Sequence, residues 1–291
     1  MREIDVSSPE DAPAGEIPRH SFCVYGETRS GKTTWAATFP RPLFLSDVTE
    51  AGWESIRNIS DDLLFEPGRK PKVFGIEAIT DITLAMEKAK PMILSGEVRT
   101  LVFDSLTFYC DLYLANMAAL QTKPDNRALY GMLGTHLRDL RVKLGSAPVN
   151  VVWLCLARPA DDTNPAGGPL IPGQQGAKFA AGCNYLIYAR RQATKDASGT
   201  QENYYLHSRP YGQYMAGSRL GINADKLPSP FQGSYAEFMA ALGYDVDGIR
   251  RAVAGVSDPS AKTAPKPAVA NGAKPVIAAR PVVRPVAVVR R

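Results

Sequence analysis

Ser21-Phe-Cys-Val-Tyr-Gly-Glu-Thr-Arg-Ser-Gly-Lys-Thr-Thr-Trp35 reads as a short apolar strand that runs into a glycine-bounded loop and then into a helix. Its centre, Gly26-Glu-Thr-Arg-Ser-Gly-Lys-Thr33, has the spacing G-x-x-x-x-G-K-[ST]. Glycines at both ends let backbone N–H groups turn inward around a phosphate, and the start of a helix adds its positive end. In such a loop the lysine reaches the β- and γ-phosphates and the hydroxyl of the following residue ligates Mg²⁺. Gly26, Glu27, Thr28, Arg29, Ser30, Gly31, Lys32, Thr33 and Thr34 are therefore the expected contacts for ATP, with Mg²⁺ as its metal.

Such a loop needs an acid at the end of a neighbouring strand to hold the metal. Leu101-Val-Phe-Asp104-Ser105 supplies Asp104 after an apolar run, so Thr33 and Asp104 form the expected metal pair. Asp104 also precedes a helical pattern, so a helix N-cap is its other reading. Water activation calls for a further carboxylate. Leu43-Phe-Leu-Ser-Asp47-Val-Thr-Glu50 places two acids just past another strand, Glu50 as first choice and Asp47 as second, with Glu27 a weaker candidate facing away from the phosphates.

Around these motifs, apolar strand-like runs alternate with helical patterns, which predicts an α/β fold with a mostly parallel sheet and helices on both faces. Strands are expected at 21–25, 43–46, 100–103 and 150–156, and helices at 33–39, 80–90, 106–120, 128–144 and 234–242. Pro91 is expected to end the second of these helices. Tyr185–Arg190 and Asn203–Ser208 flank Asp196-Ala-Ser-Gly199 and predict a terminal antiparallel hairpin.

The 291 residues divide into a mobile Pro- and Ser-rich lead-in (1–19), one domain (20–250) and a disordered Ala/Pro/Val-rich tail (251–291). From Ala254 on, the tail carries Lys262, Lys266, Lys274, Arg280, Arg284, Arg290 and Arg291 against Asp258, so it accounts for the net charge of +5 and the body is near neutral. Bulk charge therefore gives no argument that the folded part binds nucleic acid. Four dispersed cysteines and three histidines fit neither a disulfide framework nor a zinc site. No run approaches the roughly 20 apolar residues of a membrane helix.

Together these segments resemble the phage-encoded RecA-like ATPases, a group that includes single-strand annealing recombinases of the Sak type. The likeness covers about Ser21 to Leu242. It is carried by the loop, by Asp47…Glu50-Ala-Gly52, by Phe74-Gly-Ile-Glu-Ala-Ile-Thr80, by the strands ending at Asp104 and Leu156, and by Ala216-Gly-Ser-Arg219-Leu-Gly221. The resemblance implies a RecA-like P-loop NTPase core and an ATPase stimulated by single-stranded DNA. It also implies a homo-oligomer (ring or filament), a single-strand-binding protein as a further partner, and the cytoplasm of a bacterial host. It makes Pro159–Lys178 a mobile DNA-facing loop with Arg158 and Lys178 on phosphates, and Arg219 a cation that reaches a neighbouring subunit's nucleotide. Two departures bear on hydrolysis: relatives often carry a polar γ-phosphate sensor where this chain has Leu156-Ala157-Arg158, and a lysine where it has Gly217 and Ser218. A small-molecule or nucleotide kinase and a non-hydrolysing, nucleotide-gated assembly protein are the competing readings.

Overall fold

The computed structural model describes residues 18–50, 52–123, 125–162, 165–173, 175–196, 199–219 and 224–255. The lead-in up to residue 17 and the tail beyond residue 255 lie outside the described residues. In chain order the elements are β1 (Ser21–Gly26), α1 (Lys32–Ala36), β2 (Pro42–Asp47), α2 (Glu54–Arg57), β3 (Lys72–Ile76), α3 (Ile79–Leu94), β4 (Thr100–Asp104), α4 (Leu106–Ala119), α5 (Asn126–Gly145) and β5 (Asn150–Arg158). There follow β6 (Gly168–Pro169), α6 (Gln175–Ala180), β7 (Tyr185–Asp196), β8 (Gly199–His207), β9 (Gly217–Ser218), α7 (Tyr235–Ala241) and α8 (Val246–Ala254).

The sheet runs β3-β2-β4-β5-β1-β7-β8, with β6 beside β5 and β9 beside β7. From β3 to β7 the neighbours along this path are parallel, and β7–β8 is antiparallel. Register brings the strand ends together: Gly26 lies opposite Leu156 and Ala189, and Ser46 lies opposite Asp104. Strand carboxyl ends are where α/β sheets bind ligands. Because the inner strands are buried on both faces, they read as continuous apolar runs rather than alternating ones. One face packs Tyr25, Phe103 and Trp153 beneath α3 to α6, with Phe103 stacked on Trp153 at 4.3 Å between centroids. The other packs Phe22, Phe44 and Val152 against Trp35, Phe39, Tyr235 and Phe238. Among the described residues no helix is long and apolar enough to cross a membrane.

Several boundaries differ from expectation. Helix α1 stops at Ala36 instead of Phe39, because Thr38 Oγ1 donates to Trp35 O (2.8 Å) and accepts from Tyr235 N (2.8 Å), and this competes with the helical ladder. Helix α3 runs through Pro91 to Leu94. Pro91 is exposed while Ile82, Ala85, Ala89 and Ile93 form one buried stripe, and the packing of that stripe outweighs the lost backbone bond. Strand β3 was not expected; it is only five residues long, Gly75 breaks its apolar run, and most of it is exposed at the sheet edge. The fold also continues past residue 250 through α8, capped by Asp245 and ended by Gly255 at φ 75°, so residues 251–254 belong to a helix whose Val253 is buried.

Candidate nucleotide site

The loop between β1 and α1 curls as the glycine spacing predicts. Gly31 has φ 85° and Arg29 has φ 63°, both in the left-handed region, and this turns successive N–H groups toward one side. Gly26 is required for a different reason: a Cβ there would lie 2.0 Å from the Ala189 carbonyl oxygen of β7. Glu27, Thr28 and Arg29 are exposed at the rim, Ser30 is buried, and Thr34 is half-buried in the first turn of α1. Lys32 Nζ donates to Gly26 O (3.0 Å), Glu27 O (2.6 Å) and Ser30 Oγ (3.2 Å). Burial pulls the pKa of this ammonium down, while Asp104, Glu50 and Glu27 pull it back up. With only five residues in α1, the loop amides and Lys32 carry the grip more than a helix dipole does.

Thr33 Oγ1 donates to Asp104 Oδ2 at 3.0 Å, so the two expected metal residues meet across β5 from the loop strand. Asp104 is not the helix cap: Ser105 takes that role for α4, its hydroxyl accepting from Phe108 N (3.3 Å). The α-carbon of Gly52 closes over the pair, with the position of a Cβ only 3.1 Å from Asp104 Oδ2 and 3.8 Å from Thr33 Oγ1. A water-sized cavity of about 10 Å³ lies behind, between Asp47, Asp104 and Tyr109.

Residues 19–220 match the AAA domain family. The chain belongs to that family. No curated protein matches it. Among solved structures it is similar to an ATPase from the type III secretion system of pathogenic bacteria, at 14% identity and a TM-score of 0.42. That alignment covers 58% of this chain and 51% of the other, so the chain spans about half the length of that ATPase. The family match and the mostly parallel sheet around the Gly26–Thr33 loop make this an α/β P-loop core of the AAA family.

The residues present in the AAA domain fit Mg²⁺. Among the described residues no cluster of three or more His, Cys, Asp or Glu could hold a metal by itself. Mg²⁺ is normally held by one or two carboxylates together with phosphate oxygens and water, and Asp104 with the Thr33 hydroxyl provides that partial set. Burial raises the Asp104 carboxyl from the ordinary 3.8 to about 6; the Thr33 hydrogen bond and Lys32 oppose this, and Glu50 and Asp47 add to it. The folded chain therefore binds the extra proton between those values, and this group's contribution to stability is lost as pH rises through about 6. Metal requires the carboxylate, so affinity for MgATP relative to metal-free ATP is expected to rise between about pH 5 and about pH 7. In Asp104→Asn the rise disappears. Titrations with both ligands across that range measure it, and a flat wild-type profile contradicts the assignment.

The two candidate water-activating acids differ in freedom. Both Asp47 oxygens accept from Thr49 Oγ1 (2.8 Å each) and Oδ1 also accepts from Thr49 N (2.7 Å), so this buried carboxylate anchors a turn. Glu50 is exposed, and its carboxyl is raised by desolvation and by Asp47, with Lys32 lowering it. No polar side chain occupies Leu156 or Ala157 at the end of β5; nearby, Thr107 Oγ1 accepts from Leu156 N (3.1 Å) and donates to Leu170 O (2.9 Å).

Arg219 follows β9 at the opposite edge of the sheet. Its N–H donates to Asn184 O (2.9 Å) and its guanidinium donates to Ala181 O. Ser218 pairs with Tyr185, four residues before the Ala189 that faces Gly26, which is about 13 Å along the strand. Arg219 therefore lies at the far end of the strand from its own loop. Pro159–Lys178, expected as a mobile loop, contains β6 and most of α6. Gly168-Pro169 pairs with Ala157-Arg158, and Gly176 packs on the Pro169 carbonyl. Arg158 is half-buried and Lys178 exposed.

Two features were missed by the sequence reading. Gly52 matters by proximity to Thr33 and Asp104. Tyr204 lies beside Gly31, with its Cδ1 3.2 Å from where a Cβ would stand. Period-two alternation on β8 was the available signal for Tyr204, but its register against the loop was not.

Proposed function

We propose that this AAA domain binds MgATP at Gly26–Thr33, hydrolyses it, and uses the cycle to bind and release single-stranded DNA as a homo-oligomer in recombination or annealing. The observation that carries the nucleotide half is the Thr33–Asp104 contact at 3.0 Å beside the curled loop and Lys32. There Thr33 and Asp104 would hold Mg²⁺, which would supply charge neutralisation for the phosphates, and Glu50 is the exposed acid that would orient water. The DNA half rests on the phage ATPases the sequence resembles, and on the neighbourhood of Arg158.

Phe179 offers no stacking surface, since it is buried edge-on to Trp153. Other aromatics gather instead. Arg190 lies 4.5 Å from the Tyr211 ring centroid and 5.4 Å from that of Tyr205, and Tyr214 stacks on Tyr188 at 4.0 Å. The turn Tyr211–Tyr214 packs on Gly167, next to the Arg158 carbonyl. Guanidinium and aromatic planes side by side suit unstacked bases. Arg219, too far from its own loop, suits a neighbour's nucleotide.

The test is ATP hydrolysis with and without single-stranded DNA, together with DNA affinity against salt. Wild-type turnover is expected to rise with DNA. Arg158→Ala with Lys178→Ala is expected to weaken DNA binding about tenfold and to flatten the log–log salt slope by about 1–2. An unchanged affinity removes these two contacts from the reading. Nucleotide-dependent assembly without turnover favours the non-hydrolysing alternative, to which the apolar Leu156-Ala157 lends support. A phosphorylated acceptor in place of free phosphate favours a kinase.

A further inference from the structure

The phosphate loop leaves the nucleoside end of its ligand without a partner, and the strand order says where that end must go. Asp104 and Thr33 mark the metal side, reached from β1 through β5 to β4. The strands on the other side of β1 are β7 and β8. A triphosphate whose terminal phosphates face Asp104 therefore directs its sugar and base toward the hairpin.

That hairpin overshoots the loop strand. The β1–β7 pairing ends at Gly26 and Ala189, yet β7 continues to Asp196 and β8 returns from Gly199. Ala189 and Leu206 belong to the face that packs with Trp35 of α1. Two positions further out on β8, the same face carries Tyr204. Its Cβ, Cγ and Cδ1 lie 3.2–3.4 Å from the position of a Cβ on Gly31, while 39% of the residue remains exposed. The far end of the ring is tied down, because the phenol donates to Glu202 Oε2 (3.1 Å) and Glu202 Oε1 accepts from Arg191 (3.2 Å), the cross-strand partner of Tyr204. The root of the ring is braced on the phosphate loop and its tip is held by an ion pair, so a flat surface is fixed in advance on the nucleoside side.

We propose that Tyr204 is the platform on which the base of the bound nucleoside triphosphate stacks. This rests on the nucleotide-binding reading of Gly26–Thr33. Base–aromatic stacking tolerates any base and is strong enough to change affinity by tenfold or more.

The experiment compares ATP with inorganic tripolyphosphate, both with Mg²⁺, by calorimetry on the full chain. Tyr204→Ala is expected to weaken ATP about tenfold and to leave tripolyphosphate within about twofold, while Tyr204→Phe keeps ATP within about threefold of wild type. Loss of ATP affinity alone, rescued by phenylalanine, supports the platform. Equal losses for both ligands mean the ring only props the loop, and an unchanged ATP affinity means the base goes elsewhere; either result overturns the proposal and leaves the phosphate site standing. Lys32→Ala tests that site separately by weakening both ligands, and failure of the wild type to bind either one removes the nucleotide reading itself.

Discussion

Replacing Lys32 with alanine is expected to cut ATP hydrolysis by at least about 100-fold while the protein stays folded. The size follows from what the ammonium does. In the proposed cycle it is the cation that meets phosphate oxygens as charge builds on them, and loss of one preorganised electrostatic contact of that kind costs about 10²–10³ in rate. In the structure Nζ donates to Gly26 O, Glu27 O and Ser30 Oγ, so it is held at the mouth of the loop. The stability cost is small by comparison. Glu27 is at the exposed rim, where water can replace a lost donor, and a hydrogen bond of this kind is worth about 1 kcal/mol net. Turnover and thermal unfolding measured on the same preparation separate the two effects. Wild-type turnover in the variant would remove the loop from the chemistry. A collapsed fold would instead make Lys32 a structural residue.

The loop and Asp104 were legible in the sequence because their chemistry is local. A glycine needing positive φ, a lysine and a hydroxyl must follow one another in the chain, and an acid after the three apolar residues Leu101-Val-Phe103 marks a strand end. The sheet was legible for a similar reason: its inner strands are buried on both faces and betray themselves as apolar runs. What remained hidden depends on partners distant in sequence. Edge strand β3 is short, interrupted by Gly75 and mostly exposed despite Val73, Phe74 and Ile76, so its pairing with β2 is what defines it. Pro91 was read as a stop, yet packing of Ile93 below it carried α3 onward. Tyr204 acquires meaning only once β7 and β8 are known to overshoot β1, and Arg219 only once β9 is seen to pair at the start of β7. The sequence ranks Glu50 ahead of Asp47 without a contact to justify it, and the Thr49 contacts that occupy Asp47 supply the physical difference.

Gly26 is the position where fold and site share a requirement, and Gly26→Ala is expected to be the most destabilising small substitution in the loop. The added methyl would lie 2.0 Å from Ala189 O, 2.7 Å from Ser30 Oγ and 2.9 Å from Ala189 C. Ser30 could rotate, but the Ala189 atoms are backbone in the middle of the sheet, paired through Gly26 on β1 and Leu206 on β8. Relief therefore means prising β7 from β1, and overpacking against backbone of this kind costs about 3 kcal/mol or more. For a domain of this size that is a drop of about 10 °C in Tm. Gly131, exposed on α5 with nothing near the position of a Cβ, supplies the opposite sign: Gly131→Ala is expected to stabilise by about 0.5–1 kcal/mol through helix propensity. Differential scanning calorimetry of the two variants side by side reads both effects. A Gly26→Ala protein melting within about 2 °C of wild type would mean that β7 does not approach the phosphate loop this closely. The hairpin that carries Tyr204 would then lose its footing over Gly31 as well.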